Sequence, residues 1–457
     1  MTRERSLVFP ALQADACKGC TRCVEACARG CFAPGTAVHP VNGLLPVTLD
    51  LARCNGCGLC IEACPEPYAL VPAGDPGPVV GLPPPAHEVP DRLVPLPSTR
   101  PVLMKGNHAA AVGALLAGCR HFFGYPITPS TEGAELMARL LPELGGTYLQ
   151  AASEVATVNL MYGCGGAGRR TMTFTSGPGF SLMLEGISYL VGSEIPAVFV
   201  DVMRAGPGLG NIGPEQADVK LACRGLGHGD THAPVLAPAS PQEMLDLTML
   251  AFDLAFRWRT PVVILADGVL GQMSGRVTLP AARVDPGLPA WAVHGDAGHR
   301  RNLLASIRLR EAEQEAHNLH LVDKYRRIAA AEGRAERYRC QDAEVLVVAC
   351  NSPARAARGA VERLRAAGVA AGLFRPVTLW PFPVRELLPL VERVPRIVVV
   401  EASDGQLEDE VRLALSHAGA GAQLAWSHVR HHGGILPSMD EIVEAVRRAA
   451  RHGAVAA

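Results

Sequence analysis

The 457-residue chain has no excess of charge of either sign: 43 Lys and Arg stand against 44 Asp and Glu, for a formal net charge of −1. That excludes the basic footprint of a nucleic-acid binder and the acidic tail of a charge-driven partner. No hydrophobic leader is expected either, since Met1-Thr-Arg-Glu-Arg5 opens into no apolar segment. The apolar stretches are interrupted by Glu185, Glu194 and Asp201, so no membrane-spanning helix is expected. Short internal repeats are absent. What the chain does have is apolar material for a sizeable core, with 48% hydrophobic residues. Its length suggests about two to four domains.

Cysteine is unevenly spread. Of 14 cysteines, nine fall between Cys17 and Cys64. Cys17-Lys-Gly-Cys20-Thr-Arg-Cys23-Val-Glu-Ala-Cys27 is followed by Cys54-Asn-Gly-Cys57-Gly-Leu-Cys60-Ile-Glu-Ala-Cys64-Pro65. Each run is C-x2-C-x2-C-x3-C. Three thiolates at that spacing grip three corners of a 4Fe–4S cube from one loop, and the fourth cysteine ligates the other cluster. One cluster is therefore assigned to Cys17, Cys20, Cys23 and Cys64, and the other to Cys54, Cys57, Cys60 and Cys27. Disulfides or zinc are the competing uses of cysteine, but zinc favours two separated C-x2-C pairs. Cys31 lies just past the first run and reads as a packing residue. Cys119, Cys164, Cys223, Cys340 and Cys350 read as small buried apolar residues. A reducing cytoplasm suits this pattern, and the two runs imply electron transfer.

The organisation follows from composition. Residues 1–75 form a cluster-binding module too short to fold around apolar residues alone. Residues 76–100, in a proline-rich stretch that starts near 72, predict a stiff linker rather than an element. Residues 101–280 alternate helix and strand, with strands expected at 120–124, 148–151, 171–175, 197–203 and 262–266. Such alternation predicts a parallel sheet covered by helices. Residues 281–340 read as a charged helical connector. Residues 341–457 repeat the α/β pattern, with buried strands at 344–349 and 396–401.

Three constellations in the middle domain each admit two readings. Gly124-Tyr125-Pro126-Ile127-Thr128-Pro129 ends a strand and opens a helix, with Thr128 expected as N-cap and Pro129 as first helical residue. It suits an anion site or an ordinary capped turn. Ser153-Glu154-Val-Ala-Thr157 places a carboxylate in a first helical turn, where it serves chemistry or merely offsets the helix dipole. Arg204 follows an apolar strand and could fork a carboxylate or form a surface ion pair. Gly163-Cys-Gly-Gly-Ala-Gly168 matches G-x-G-x-x-G, but it follows a helical segment, so it reads as packing rather than a dinucleotide fingerprint.

Residues 102–450 closely resemble the α subunit of the 2-oxoacid:ferredoxin oxidoreductases, nearest to the branched-chain 2-oxoacid and 2-oxoglutarate branch. The carriers are Lys105-Gly-Asn107, the Tyr125-Pro-Ile-Thr-Pro129 run, Ser153-Glu-Val-Ala-Thr157, Thr175-Ser-Gly-Pro-Gly179 and Glu185-Gly-Ile-Ser-Tyr189. Arg204-Ala-Gly-Pro-Gly-Leu-Gly-Asn211, Ala266-Asp-Gly-Val-Leu-Gly-Gln272 and Phe374-Arg-Pro-Val-Thr-Leu-Trp-Pro381 add to them. The fused two-cluster module is a departure, since many members keep it on a separate chain.

The resemblance implies a pyrimidine-type thiamine diphosphate (TPP) domain and a transketolase C-terminal-like α/β domain, preceded by a small α+β bacterial-ferredoxin-like domain. It implies that Glu154 bonds the pyrimidine nitrogen of TPP, beside Tyr125, Pro126 and Ile127. It implies that Thr128 and Arg204 hold the 2-oxoacid, that electrons leave through the clusters, and that coenzyme A collects the acyl group. The diphosphate half of TPP needs Mg²⁺ on a Gly-Asp-Gly motif with a downstream asparagine. Ala266-Asp267-Gly268 lacks the first glycine and Asn302 lies too far along. The resemblance therefore implies a β subunit that carries the diphosphate and Mg²⁺ site and a further 4Fe–4S cluster. It also implies a γ subunit in some assemblies and an external ferredoxin as acceptor. Two other functions fit the same residues: an electron-transfer scaffold with a degenerate TPP domain, and a pyruvate-synthase-like subunit.

Overall fold

The structure is a computed structural model that describes residues 7–39, 43–66, 68–74, 88–98, 100–296, 298–299 and 302–451. Two compact units divide the chain: Met1–Glu88 with Pro289–Leu303, and Val89–Leu288 with Leu304–Ala457. Among the described residues no helix is long and apolar enough to cross a membrane.

The first unit is built from short elements. Pro10–Leu12 pairs antiparallel with Leu70–Pro72, and Phe32–Ala33 with Thr48–Leu49. Two five-residue helices, Arg22–Ala26 and Leu59–Ala63, each follow a left-handed residue, Thr21 at φ 60° and Gly58 at φ 75°. The two cysteine runs thus make the same step from loop to helix. Among the described residues, Cys17, Cys23, Cys31 and Cys60 supply half of one buried apolar cluster, with Phe32, Val47, Ala69 and Leu70 beside them. So small an apolar core gains its stability from what the thiols hold.

The second unit contains a seven-stranded sheet in the spatial order 378–380, 235–236, 261–267, 197–203, 171–175, 121–124, 147–150. All neighbours are parallel except Thr378–Trp380, which runs antiparallel to Val235–Leu236. The strand Ala197–Met203 is buried at every position, as a central strand covered on both faces must be. Its side chains alternate: Val198, Val200 and Val202 face Phe122, Phe174 and Met244. Ala197, Phe199 and Met203 face a second core with Phe180, Met183 and Ile187. That second core continues into Leu346, Phe374, Val399 and Leu407 of the C-terminal half. The C-terminal half carries a five-stranded sheet in the order 335–338, 371–376, 345–348, 396–401, 425–430, parallel apart from Ala335–Tyr338.

Two expectations need correction, and one strand crosses between the sheets. The proline-rich stretch does not end as a featureless linker, because Arg92–Pro95 pairs antiparallel with Ala282–Asp285; residues 75–87 lie outside the described residues. A two-stranded ribbon tolerates proline, because only one edge of each strand donates to the ladder. The connector is not helical throughout. Its helix is Glu311–Ala331, and Ala335–Tyr338 joins the C-terminal sheet as an edge strand. The segment after Pro376 leaves its own sheet, and Thr378–Trp380 extends the middle one.

Candidate active site and cluster pockets

The carboxyl ends of the parallel strands gather the motif residues on one edge of the middle sheet, where ligands of open α/β sheets bind. The 125–130 loop is fastened from below. Pro129 O accepts from Asn107 Nδ2 at 2.9 Å and from Gln272 Nε2 at 3.2 Å. Lys105 pairs with Glu132 at 2.5 Å. Gly106 has no room for a side chain, since a Cβ would meet Leu270 O at 1.9 Å. The Lys105-Gly-Asn107 and Ala266–Gln272 motifs therefore serve to hold this loop.

Thr128 is not the N-cap. Ser130 donates through both its N–H and its Oγ to Ile127 O, closing a turn first, and the helix begins at Thr131 with Ser130 in the capping position. Thr128, Tyr125 and Pro126 are exposed and Ile127 is half-buried. Thr128 contributes its carbonyl to Arg204, whose Nη1 donates to it at 3.0 Å. Arg204 Nη2 donates to Leu209 O at 3.2 Å, while Nε is buried without a partner. The guanidinium thus ties the 125–130 loop to the glycine-rich 205–210 loop.

Glu154 is the first residue of the helix Glu154–Gly166, behind the Ser153 cap, whose Oγ accepts from Ala156 N at 3.2 Å. Only 6% of it is exposed. A carboxylate meant only to offset a helix dipole would face solvent. This one lies against Gly179 at the start of the helix Gly177–Gly192. Thr175 Oγ1 and Ser176 Oγ, on the same turn, are buried without partners. Between strand end and helix start they leave hydrogen-bonding capacity for a polar group. No hydrogen bond joins Glu154 to Arg204 or Thr128.

Arg204 opens onto a cleft of about 800 Å³. Gly177, Pro178, Asp218 and the 205–209 loop line it from the middle domain, and Asp404, Gln406 and His432 from the C-terminal half. Asn211 and Glu215 join the two halves: Asn211 Nδ2 donates to Gly433 O at 3.1 Å, and Gly433 N–H to Glu215 Oε2 at 2.7 Å.

Two residues at this cleft escaped sequence reasoning. Asp201 is fully buried on the central strand, opposite Thr175, and Asp218 lines the cleft. Both oxygens of Asp201 and Oδ2 of Asp218 lack any donor, and the two carboxyls are close enough to perturb each other. Two like charges so placed disfavour each other, and a proton on one relieves the repulsion. Burial pushes Asp201 well above the usual carboxylate range, and Asp218 adds to the rise. Burial lifts Asp218 to about 6, against the pull of its bond to Asp201 and of the Arg204 charge. The available signal was an aspartate in an otherwise apolar strand, Ala-Val-Phe-Val-Asp-Val-Met.

Asp267 is committed elsewhere. Its Oδ1 accepts from Val269 N and Leu270 N, both at 3.0 Å, and from Ser352 Oγ at 2.7 Å, while Oδ2 accepts from Ser352 N at 2.8 Å. A carboxylate so engaged caps a helix and has little left for Mg²⁺. Arg375 is likewise structural: its guanidinium forks Glu243 at 2.7 and 3.0 Å and Nε donates to Glu336 at 2.7 Å. The Gly163–Gly168 run ends a helix, and a Cβ on Gly165 would meet Pro196 O at 2.6 Å.

In the first unit, one pocket is lined by Cys17, Cys20, Cys23 and Cys64, and another by Cys27, Cys54, Cys57 and Cys60 together with Cys31. None of these cysteines is joined in a disulfide. Among the described residues no three His, Cys, Asp or Glu side chains converge as a single ion would require. Four sulfurs spaced around a pocket suit a cube whose corners stand apart. Backbone N–H groups already point at sulfur: Gly19 N to Cys17 Sγ at 3.5 Å, Gly56 N to Cys54 Sγ at 3.4 Å and Cys31 N to Cys27 Sγ at 3.4 Å.

A parallel sheet with a polar cleft at its strand ends, in a chain that also carries two cysteine-lined pockets, defines a cofactor-dependent oxidoreductase. Residues 112–290 match the family model for pyruvate flavodoxin/ferredoxin oxidoreductase, thiamine diphosphate-binding. Residues 343–442 match core domain II of pyruvate:ferredoxin oxidoreductase, and residues 16–67 the 4Fe–4S dicluster domain. A ketoisovalerate oxidoreductase subunit of Methanothermobacter thermautotrophicus is 46% identical over 350 residues, 76% of this chain and 97% of that one. A 2-oxoglutarate synthase subunit of Methanocaldococcus jannaschii is 37% identical, over 67% of this chain and 90% of that one. Among solved structures, a 2-oxoglutarate:ferredoxin oxidoreductase from Magnetococcus marinus with 2-oxoglutarate, coenzyme A and succinyl-CoA bound superposes with a TM-score of 0.69 at 27% identity. The match covers 77% of this chain and 65% of that one, so this chain spans just under two thirds of the solved chain. The chain belongs to the family of 2-oxoacid:ferredoxin oxidoreductase subunits, and carries a TPP-binding domain and a 4Fe–4S dicluster domain.

Proposed function

We propose that this chain is the α subunit of a CoA-acylating 2-oxoacid:ferredoxin oxidoreductase, and that its two cysteine pockets each hold a 4Fe–4S cluster on the way to an external ferredoxin. The observation that carries the reading is the buried Glu154 carboxylate beside the unpartnered Thr175 and Ser176 hydroxyls at the strand ends of a TPP-binding fold. When bound, TPP would supply the carbon nucleophile that cleaves the bond between the carboxylate and the 2-oxo carbon. Glu154 would hold its pyrimidine nitrogen and the exposed Tyr125, Pro126 and Ile127 would border it. Arg204 would bind the substrate carboxylate, held in place by the Thr128 and Leu209 carbonyls.

Asp267 is occupied by Val269, Leu270 and Ser352. That supports a β subunit as the carrier of the diphosphate and Mg²⁺ site, with a further cluster and, in some assemblies, a γ subunit. The thiol-rich pockets suit a cytoplasmic setting. For substrate, a 2-oxoacid with one carboxylate and an apolar side chain fits this half of the cleft. Glu215, Asp218 and Asp404 line it against Arg204 and His432, which leaves little for a second carboxylate. The complex, purified anaerobically with its partner chain, should show about eight irons on this subunit. Those clusters should be reduced on adding TPP, Mg²⁺, coenzyme A and 2-oxoisovalerate, faster than with 2-oxoglutarate or pyruvate. Absence of substrate-dependent cluster reduction with all three acids would sink the reading.

A further inference from the structure

The two cysteine runs have the same spacing, but their pockets differ. The pocket of Cys17, Cys20, Cys23 and Cys64 is completed by Val47, Ala69 and Leu70 and by Lys18, Thr21 and Glu66, with no fifth sulfur. The pocket of Cys27, Cys54, Cys57 and Cys60 contains a fifth sulfur, Cys31, with Phe32 beside it. Cys31 is 3% exposed. Its backbone is pinned from both sides: its carbonyl accepts from Asp50 N at 2.8 Å, and its N–H donates to Cys27 Sγ at 3.4 Å. Its side chain lines the same pocket as the Cys27 and Cys54 sulfurs.

A cube needs four protein sulfurs, so five in one pocket leave one without iron. Cys27 is the ligand of the pair by its own contacts. A sulfur that receives a backbone N–H is the electron-rich partner, and Cys17, Cys54 and Cys27 each receive one. Cys31 stands on the donating side through its backbone N–H, just ahead of a strand held by the Phe32–Leu49 pairing, and receives no N–H at its own sulfur.

We infer that Cys31 is not a ligand but a positioning residue that donates its S–H to the ligand sulfurs of one cluster and sets the two clusters at unequal potentials. The inference rests on the two-cluster reading above. A donor aimed at a ligand sulfur draws electron density from the cluster and favours its reduced, more negative form, which raises the potential. The cluster beside Cys31 therefore becomes the better electron acceptor of the two. In the other pocket Val47, Ala69 and Leu70 donate nothing, Lys18 is paired with Glu66 at 2.6 Å, and the Thr21 hydroxyl donates to Cys20 O at 2.8 Å. Two clusters with matching ligand spacing would otherwise differ little, and an electron would have no preferred direction between them. In a single chain, one extra thiol suffices to give the relay a downhill step.

The test compares wild type, Cys31→Ala and Cys31→Ser in the full chain, purified anaerobically. Iron and sulfide are assayed, and an EPR-monitored redox titration resolves the two clusters. All three proteins should hold about eight irons. Cys31→Ala should move one cluster to lower potential and leave the other unchanged. Cys31→Ser, which keeps a donor, should fall closer to wild type. Potentials in Cys31→Ala that match wild type would return Cys31 to simple packing. Iron near half in Cys31→Ala would make it a ligand, and either result overturns the inference. A wild-type chain without eight irons would instead remove the two-cluster reading beneath it.

Discussion

Gly179 and Glu154 occupy each other's space: a Cβ on Gly179 would stand 2.6 Å from Glu154 Oε1 and 2.5 Å from Thr175 Oγ1. No side chain fits there unless the carboxylate moves. Glycine in this turn is therefore a condition for the position of Glu154, not a backbone requirement. Glu154→Gln should lower turnover by roughly 10²–10⁴-fold, the usual cost of losing one acid–base group. Gly179→Ala should lower it in the same direction by displacing the carboxylate, with iron content unchanged in both. Single-turnover CO₂ release from the 2-oxoacid reads the step directly. If Gly179→Ala works at the wild-type rate, the placement of Glu154 has no bearing on the chemistry.

Arg204 is held by two carbonyls of different loops, Thr128 O and Leu209 O. A lysine ammonium is a point donor and cannot hold both in the same plane while facing a carboxylate. Loss of a charge-assisted bond is worth about 1.5–3 kcal/mol. Arg204→Lys should therefore raise KM for the 2-oxoacid by roughly ten- to a hundredfold, with TPP affinity retained. Initial-rate kinetics beside TPP titration calorimetry separate the two. A fall in TPP affinity alone would show that Arg204 serves the cofactor instead.

Much of the fold was legible because buried parallel strands are continuous apolar runs. The strands at 171–175, 197–203 and 396–401 stand where patterning alone puts them. Thr378–Trp380 was not legible as part of the middle sheet, since a three-residue strand carries no periodicity and its pairing with Val235–Leu236 is purely tertiary. The capping pattern misplaced Thr128 because the turn from Ile127 to Ser130 competes for the same backbone groups. At the cleft, Glu154 and Arg204 could be singled out by residue type. Asp201 could not, because its importance lies in the distant Asp218 carboxyl, 17 residues further on, folded back against it.

That carboxyl pair predicts a pH dependence of stability. Both groups take up a proton more readily in the folded chain than in the unfolded one. Their contribution is fully present below the ordinary aspartate value of 3.8 and is lost as pH rises through about 6 and beyond. The neighbouring Glu215 steepens the loss and Arg204 moderates it. Asp201→Asn keeps the volume, donates to Asp218 and removes one of the two like charges. Its stability relative to wild type should therefore rise between pH 4 and pH 8, by roughly 1–3 kcal/mol. Denaturant unfolding at a series of pH values measures the difference. A difference that is flat with pH would mean the pair does not share a proton.

The end of the proline-rich stretch anchors rather than tethers. Arg170 is 4% exposed and reaches Ala117 O at 2.8 Å with Nη1, lies 4.9 Å from the Phe256 ring centroid, and pairs through Nη2 with Asp91. One residue on, Arg92–Pro95 begins its pairing with Ala282–Asp285. Removing Asp91 leaves a buried guanidinium with one carbonyl and only the Asp253 charge nearby, and breaking a buried pair typically costs several kcal/mol. Asp91 is itself 47% exposed on its side chain, so water screens part of the loss. Two truncations isolate the anchor from the module. Both remove the cluster domain, so both leave Pro289–Leu303 equally without the rest of its unit. Deletion of residues 1–88 keeps Asp91 and the strand, whereas deletion of residues 1–98 removes them. The longer deletion should be the less stable by roughly 1–3 kcal/mol, and Asp91→Ala in the full chain should account for part of that. Thermal unfolding of the TPP-binding unit, with iron content followed in the Asp91→Ala chain, provides the measure. Equal stability of the two truncations would make residues 89–98 a passive linker after all.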